Sequence, residues 1–154
     1  MRTFQSYSEV LSCLGQEVAV TDWLTITQQQ INLFAEATGD HQWIHVDEKR
    51  AAEGPFGTPI AHGFLTLSLL PKFFESAFKI AGTRMGVNYG LNRVRFTAPV
   101  PVGSRLRAHM TLQEAERVEP DGLQMTWLVS IEREGSDRPV CVAESVTRSY
   151  GAAP

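Results

Sequence analysis

The stretch Phe34–Leu70, FAEATGDHQWIHVDEKRAAEGPFGTPIAHGFLTLSLL, contains the end of one helix, an irregular loop and the start of a second helix. Shortly before it, Thr27 and Gln30 have the spacing of a capping box, and apolar residues then recur at helical spacing. Gly39 fits the left-handed position at which many helices end. The sequence therefore predicts a helix that begins after Thr27 and ends at Gly39, with Asp40 in the loop that follows.

The second helix is predicted from the apolar run over residues 63–81, which covers nearly every helical face and indicates a buried helix. Pro71 removes one backbone hydrogen bond and is expected to bend this helix. Between the two helices, Asp47 is expected to cap a short turn that ends at Ala52. Glycines and prolines then predict an irregular, rigid loop over residues 54–59.

Outside this stretch, alternation of apolar and polar residues predicts strands. Glu17 to Trp23 suits a first strand, and a shift of phase near Gly90 predicts a β-bulge. The later strand segments are 87–96, 106–112, 125–131 and 140–146. Turn residues separate them, so neighbouring strands are expected to be antiparallel. The predicted fold class is α+β, with a curved antiparallel sheet around one long central helix in a single domain of residues 1–154.

Composition excludes several classes of protein. A formal net charge of −3 argues against a nucleic-acid-binding protein, which needs a basic surface. Charged residues and Pro71 interrupt the most apolar stretch, so no membrane span is expected. The first residues lack the pattern of a secretory signal, and Cys13 and Cys141 lack metal-ligand spacing. We expect a cytoplasmic protein with two reduced, partly buried thiols.

Asp40 and His45 are the first candidate catalytic residues. They are five positions apart, so they can meet only if the chain turns between them, which Gly39 and the loop allow. A carboxylate and an imidazole on either side of one water form a natural acid–base pair. Spacing alone leaves a second interpretation open, in which Asp40 caps a turn and His45 is structural.

A metal site is the next alternative. His41 and His45 would face together on a helix, and Asp40 or His62 would supply a third ligand. Gly39 disfavours a helix at this point, and there is no HExxH-type context, so no metal is expected.

Gly63 opens the second helix, where the first backbone N–H groups have no partner within the helix. Such a donor stabilises an oxyanion, and a glycine lets a ligand approach the backbone closely. His62 is expected to shape this site. Ser68 lies in LTLSLL, which is not a GxSxG elbow, so a serine hydrolase is not expected.

Taken together, Gly39-Asp40, His45 and the string Ala61-His62-Gly63-Phe64 resemble the MaoC-like dehydratases, which include the (R)-specific enoyl-CoA hydratases. The strings GDHQWIH and GPFGTPIAHGFLTLSLLP resemble the branch called nodulation protein N-like. The resemblance covers essentially the whole chain. One position departs from the family pattern, because many (R)-hydratases have Asn-Pro where this chain has Gln42 and Trp43. The bulky Trp43 is expected to alter either the acyl pocket or the loop, which bears on the preferred chain length and not on the chemistry.

The resemblance implies a hotdog fold and hydration of a trans-2-enoyl-CoA to an (R)-3-hydroxyacyl-CoA, without a cofactor. It implies that Asp40 and His45 activate water, that the Gly63 N–H binds the thioester oxygen and that the site lies at a homodimer interface. Asn88 is expected to line the site as a polar group. Candidate partners for the CoA phosphates are Lys72, Arg84, Arg93 and Arg95. Two alternatives are an acyl-CoA thioesterase on the same fold and a non-catalytic acyl-CoA-binding subunit.

Overall fold

Residues 1–152 are described by the computed structural model, in which long antiparallel strands follow a largely helical first half. The elements in chain order are β1 (Arg2–Phe4), α1 (Tyr7–Leu11), β2 (Glu17–Val20), β3 (Leu24–Thr25), α2 (Gln28–Thr38), α3 (Trp43–Val46), α4 (Glu48–Ala52), α5 (Gly63–Ser68), α6 (Leu70–Ala77), β4 (Phe78–Ile80), β5 (Met85–Phe96), β6 (Arg105–Val118), β7 (Gly122–Arg133) and β8 (Cys141–Tyr150).

The main sheet has six strands, in the order β2-β6-β7-β8-β5, with β3 also paired to β6. Its strand pairs are all antiparallel, as the turns predicted. The pairing of β5 with β8 shifts register between Asn88 and Gly90, which confirms the predicted bulge, and again between Leu91 and Val94. β5 lies at one end of the strand order, and this position leaves its outer edge free of a partner strand within residues 1–152.

Alternation along the strands buries one face of the sheet under α5 and α6. On β6, Leu106 and Met110 are completely buried, and so is Trp127 on β7. The Trp127 ring contacts Phe74 of α6 edge to face, with ring centroids 5.6 Å apart. Full burial of an aliphatic or aromatic side chain of this size stabilises a fold by about 1.5–3 kcal/mol. This shared core fixes the position of α5, and therefore of the loop that precedes it.

The helix boundaries near the predicted site are confirmed. The Thr27 hydroxyl accepts from the Gln30 N–H while the Gln30 side chain accepts from the Thr27 N–H, which completes the capping box of α2. Gly39 has a φ of 79° and ends the helix. The Asp47 side chain accepts from the Arg50 N–H at 3.0 Å and caps α4.

The single long helix predicted over residues 63–81 is wrong in two respects. The helix is divided at Leu69 into α5 and α6, and it ends at Ala77. Pro71 lies in the first turn of α6, where a missing N–H is tolerated, so the chain starts a new helix there. Residues 78–80 are extended because they form β4, which pairs in parallel with β1.

The prediction of a first strand over residues 17–23 is also wrong in part. It is not the first strand, because β1 and α1 precede it, and it ends at Val20. The Thr21 hydroxyl accepts from the Ala108 N–H at 2.9 Å, so a side chain replaces the main-chain acceptor that a continued ladder would use. The chain pairs with β6 again only at Leu24.

Among residues 1–152, no helix is long and apolar enough to cross a membrane.

Candidate active site

The turn that carries Asp40 is held between two helices. Gly39 takes the left-handed conformation, so the chain leaves the axis of α2 directly before Asp40. In the first turn of α2, the Gln28 amide donates to the main-chain oxygen of His45 at 2.8 Å and ties α2 to α3. The fold therefore brings Asp40 and His45 to one place, although a regular helix or strand would separate them.

His45 is buried and has a defined tautomer. Its Nδ1 lies 2.7 Å from the main-chain oxygen of Ile60. A carbonyl oxygen can only accept, so Nδ1 carries a proton and Nε2 keeps its lone pair. Burial lowers the pKa of His45 below its usual value, and the nearby His62 lowers it further, against the opposing effects of the Ile60 carbonyl and Asp40. Near pH 7 the imidazole is therefore neutral, with Nε2 available as a hydrogen-bond acceptor or base.

His62 supports both members of the pair. Its ring stacks on the His45 ring with centroids 3.8 Å apart and an angle of 25° between the planes. Its Nε2 donates to the main-chain oxygen of Asp40 at 2.9 Å. His62 is 2% exposed and immediately precedes α5, so it joins the loop that carries Asp40 to the central helix.

Asp40, His45 and His62 each have one side-chain atom, a carboxylate oxygen or a ring nitrogen, that lies within 4.8 Å of the corresponding atoms of the other two. A single water bonded to two groups at ordinary distances spans up to about 5.6 Å. A water can therefore bridge a carboxylate oxygen of the exposed Asp40 and a ring nitrogen of His45. Since Nδ1 of His45 is bonded to the Ile60 carbonyl, Nε2 is the nitrogen available for this water. The carboxylate can take a proton from this water while the imidazole orients it.

The same three residues have the side-chain types of a metal site, but their geometry suits one poorly. Ring lone pairs lie in the ring plane, so two stacked imidazoles direct their lone pairs side by side instead of toward one ion. One nitrogen of each ring is also engaged with a main-chain oxygen. His41, the other proposed ligand, is exposed and lies 3.7 Å from Glu36, outside this group.

Gly63 lies at the start of α5 beside a cavity of about 390 Å³ that His45 also lines. A Cβ built on Gly63 would lie 2.8 Å from Cδ2 of Phe96, so the Phe96 ring packs directly against the glycine. A side chain at position 63 would fill the space beside the N–H. The cavity lining consists of His45, Phe56, Ile60, Ala61, Gly63, Thr66, Phe96, Thr97, Ala98, Pro99, Val100 and Val140.

Comparison with known proteins agrees with this fold. The model of the family described as MaoC like domain matches residues 9–133. This chain belongs to the MaoC-like family. It is 54% identical over 148 residues to 3-hydroxyacyl-thioester dehydratase Z of Mycobacterium tuberculosis, which covers 96% of this chain and 98% of that protein. It is 48% identical over 144 residues to Nodulation protein N of Rhizobium leguminosarum bv. viciae, which covers 92% of this chain and 89% of the relative.

Among solved structures, the unliganded R-hydratase PhaJ1 from Pseudomonas aeruginosa superposes with a TM-score of 0.72. The match covers 98% of this chain and 88% of that one, at 22% sequence identity. At this identity the likeness concerns the fold alone, and it confirms the predicted hotdog fold. The relatives of this MaoC-like chain therefore include named hydratases and dehydratases.

Several residues that the sequence singled out lie away from this site of the MaoC-like domain. Asn88 lies in a separate cavity of about 1120 Å³, between α6 and the sheet. The Ser68 hydroxyl donates to the Phe64 main-chain oxygen at 2.6 Å. Trp43 does not line the cavity beside His45, and its ring packs against Gly54 and the Arg50 guanidinium. The difference from the Asn-Pro pattern therefore alters the loop instead of the cavity wall.

Both cysteines are free, and both are fully buried where the sequence predicted partial burial. Burial raises the pKa of the Cys141 thiol to about 11, so it stays protonated at neutral pH and is a poor nucleophile.

Three contributors to the site were missed by the sequence interpretation. They are the Ile60 carbonyl that sets the tautomer of His45, the Phe96 ring against Gly63 and the Thr66 hydroxyl in the cavity wall. A main-chain carbonyl has no signature in sequence, and Phe96 follows the ordinary alternation of β5. Thr66 lies in an apolar helix whose pattern indicates burial only.

Proposed function

We propose that this chain is an (R)-specific enoyl-CoA hydratase and dehydratase, which adds water across the 2,3 double bond of a trans-2-enoyl-CoA. The observation that carries the proposal is that the Asp40 carboxylate and a ring nitrogen of a neutral His45 lie within one water's reach of each other, with Nδ1 of His45 engaged by the Ile60 carbonyl. The likeness to a hydratase fold and to a named 3-hydroxyacyl-thioester dehydratase supports the reaction class. The R configuration rests on the family resemblance.

In the proposed mechanism, the Gly63 N–H binds the thioester oxygen and stabilises the negative charge that develops there. Water held between Asp40 and His45 attacks C3 and gives one proton to the carboxylate as the C3–O bond forms. The double-bond electrons move toward C2 and the thioester. The carboxylic acid then returns its proton to C2, so that H and OH are added and both side chains are restored. Dehydration follows the same path in reverse.

His62 acts in this mechanism as a positioning residue, because it holds the Asp40 backbone and the His45 ring. Asn88 does not face the same site within one chain, so a contact with substrate would come from a second copy. Of the proposed phosphate partners, Arg84 is paired with Asp121 at 2.6 Å and Lys72 lines a different cavity.

The remaining two candidates, Arg93 and Arg95, are exposed on the strand that carries Phe96. We propose these two as the cations for the CoA phosphates, since both side chains are exposed and a guanidinium can bind a phosphate through two hydrogen bonds.

We also propose that the active form is a homodimer that pairs through the free edge of β5. This strand exposes five large apolar side chains, Met85, Val87, Tyr89, Leu91 and Phe96. A long exposed apolar edge strand is a template for pairing with another chain. Two copies related by a two-fold axis can pair through this same edge strand.

Sedimentation at micromolar concentration is expected to give twice the chain mass of 17.1 kDa. Leu91→Lys places a charge on the edge and is expected to shift the protein to monomer. Leu33→Lys, on an equally apolar but distant exposed position of α2, is the matched control and should remain dimeric. A wild-type monomer, or equal behaviour of the two variants, would refute pairing through β5.

The proposed reaction is tested with crotonyl-CoA by following the loss of enone absorbance and the release of free thiol in parallel. We expect absorbance to fall with no thiol released. Thiol release would assign a thioesterase instead. No change with short or long enoyl chains would point to a binding subunit.

A further inference from the structure

Thr66, on α5, has a buried hydroxyl with no hydrogen-bond partner anywhere in residues 1–152. The residue is 2% exposed. A threonine within a helix commonly donates to the carbonyl four residues earlier, but here the His62 carbonyl accepts the main-chain N–H groups of Leu65 and Thr66 instead. Buried polar groups in native proteins are nearly always hydrogen-bonded, so this hydroxyl calls for a partner outside the chain.

This hydroxyl lies in the wall of the active-site cavity. Thr66 lines the same cavity of about 390 Å³ as His45 and Gly63. Most of the remaining lining is apolar. The other hydroxyl in that lining, Thr97, already donates to the Pro139 carbonyl. Binding sites of this kind use few polar groups among apolar ones to fix the orientation of a ligand. The Thr66 hydroxyl is placed to be such a group.

We infer that the Thr66 hydroxyl binds the oxygen on C3 of the acyl chain, an inference that rests on the proposed function. An acyl thioester of this class carries polar atoms near the reacting carbons only at C1 and C3, and the Gly63 N–H is assigned to the oxygen on C1. Thr66 lies three residues after Gly63, which is a rise of about 4.5 Å along a helix. The two oxygens of a 3-hydroxyacyl thioester are separated by three carbons, a distance of similar size.

The Thr66 hydroxyl therefore makes the cavity select ligands that carry an oxygen on C3. A ligand with a 3-hydroxyl gains the Thr66 bond and then also presents that oxygen to Asp40 and His45. A saturated acyl-CoA, with no oxygen on C3, leaves the Thr66 hydroxyl unpaired. The hydroxyl thus makes the cavity discriminate the 3-hydroxyacyl thioester from the saturated acyl thioester of the same length.

The test compares the dissociation constants of 3-hydroxybutyryl-CoA and butyryl-CoA, which differ only in that hydroxyl, by calorimetry. An Asp40→Asn background is used so that the ligand is not turned over. Adding Thr66→Val, which keeps the shape, is expected to weaken 3-hydroxybutyryl-CoA binding about fivefold to tenfold, the ordinary contribution of one hydrogen bond. The dissociation constant of butyryl-CoA should change by less than about twofold.

Thr66→Ser, added to the same background, keeps the hydroxyl and should retain the preference for 3-hydroxybutyryl-CoA. The melting temperature of Thr66→Val should equal or exceed that of the parent, because valine removes a buried unpaired polar group. Equal weakening of both ligands, or of neither, would overturn the role of Thr66 while leaving the proposed reaction intact. If the Asp40→Asn background binds neither thioester, the proposed function and this inference both fail.

Discussion

Asp40→Asn is expected to lower kcat/KM for crotonyl-CoA hydration by about 10³-fold, within the range that general acid–base groups contribute. The amide cannot accept the proton that leaves the attacking water. The fold should not change, since Asp40 is exposed and its carboxylate accepts only from the Gln42 N–H at 3.3 Å among the described residues. An asparagine oxygen can accept that same bond. The measurement is steady-state hydration, together with the melting temperature of each protein.

The matched control for this change is Asp47→Asn, the same substitution in the same segment of chain. Asp47 caps α4 through the Arg50 N–H, and asparagine caps helices about as well as aspartate. This variant should keep both activity and stability. Near-normal turnover by Asp40→Asn, or an equal loss in the two variants, would show that the Asp40 carboxylate does not take part in the reaction.

Gly63→Ala is expected to lower kcat/KM by about 100-fold. Alanine keeps the backbone N–H, but the added methyl should hinder the thioester oxygen from reaching it, and losing an oxyanion donor costs about this much. The new methyl would lie 2.8 Å from Cδ2 of Phe96, so the ring would have to shift within the wall of the cavity that Gly63 and Phe96 both line. The helix itself should tolerate alanine, which has the higher helix propensity. Hydration kinetics and thermal unfolding of the purified variant measure the two effects separately.

Gly122→Ala is the matched control for the steric part of this change. A Cβ on Gly122 would lie 2.7 Å from Cε1 of Tyr150, an equally close approach to an aromatic ring, but at the start of β7 and outside the lining of the cavity beside His45. It is expected to destabilise the fold with little effect on turnover. If Gly63→Ala and Gly122→Ala are equally active, the Gly63 N–H is not the binding group for the thioester oxygen.

The parts of the site that the sequence predicted are those encoded by local chemistry. The capping box of Thr27 and Gln30 and the left-handed Gly39 define where α2 ends, and therefore where Asp40 begins its loop. Both features follow from contacts within a few residues. Spacing left the approach of His45 to Asp40 open, and only the family resemblance predicted it, because the approach depends on the Gln28 bond to the His45 carbonyl, across 17 positions of sequence.

The features that were missed depend on distant parts of the chain. The Phe96 ring reaches Gly63 because β5 pairs with β8 at the edge of the sheet, and no pattern near Gly63 specifies that pairing. The division of the central helix has a local cause in Pro71, which the sequence indicated as a bend. The strand at residues 78–80 has a distant cause, because it forms by pairing with β1 at the start of the chain.

The most direct test of the central claim is the mass of the product formed from crotonyl-CoA in H₂¹⁸O. Water activated by Asp40 and His45 should place one ¹⁸O on C3, so the expected product is singly labelled 3-hydroxybutyryl-CoA with an intact, unlabelled thioester. Label in free crotonate, with release of CoA, would contradict the claim and assign hydrolysis of the thioester to this site. Unchanged crotonyl-CoA would contradict it as well.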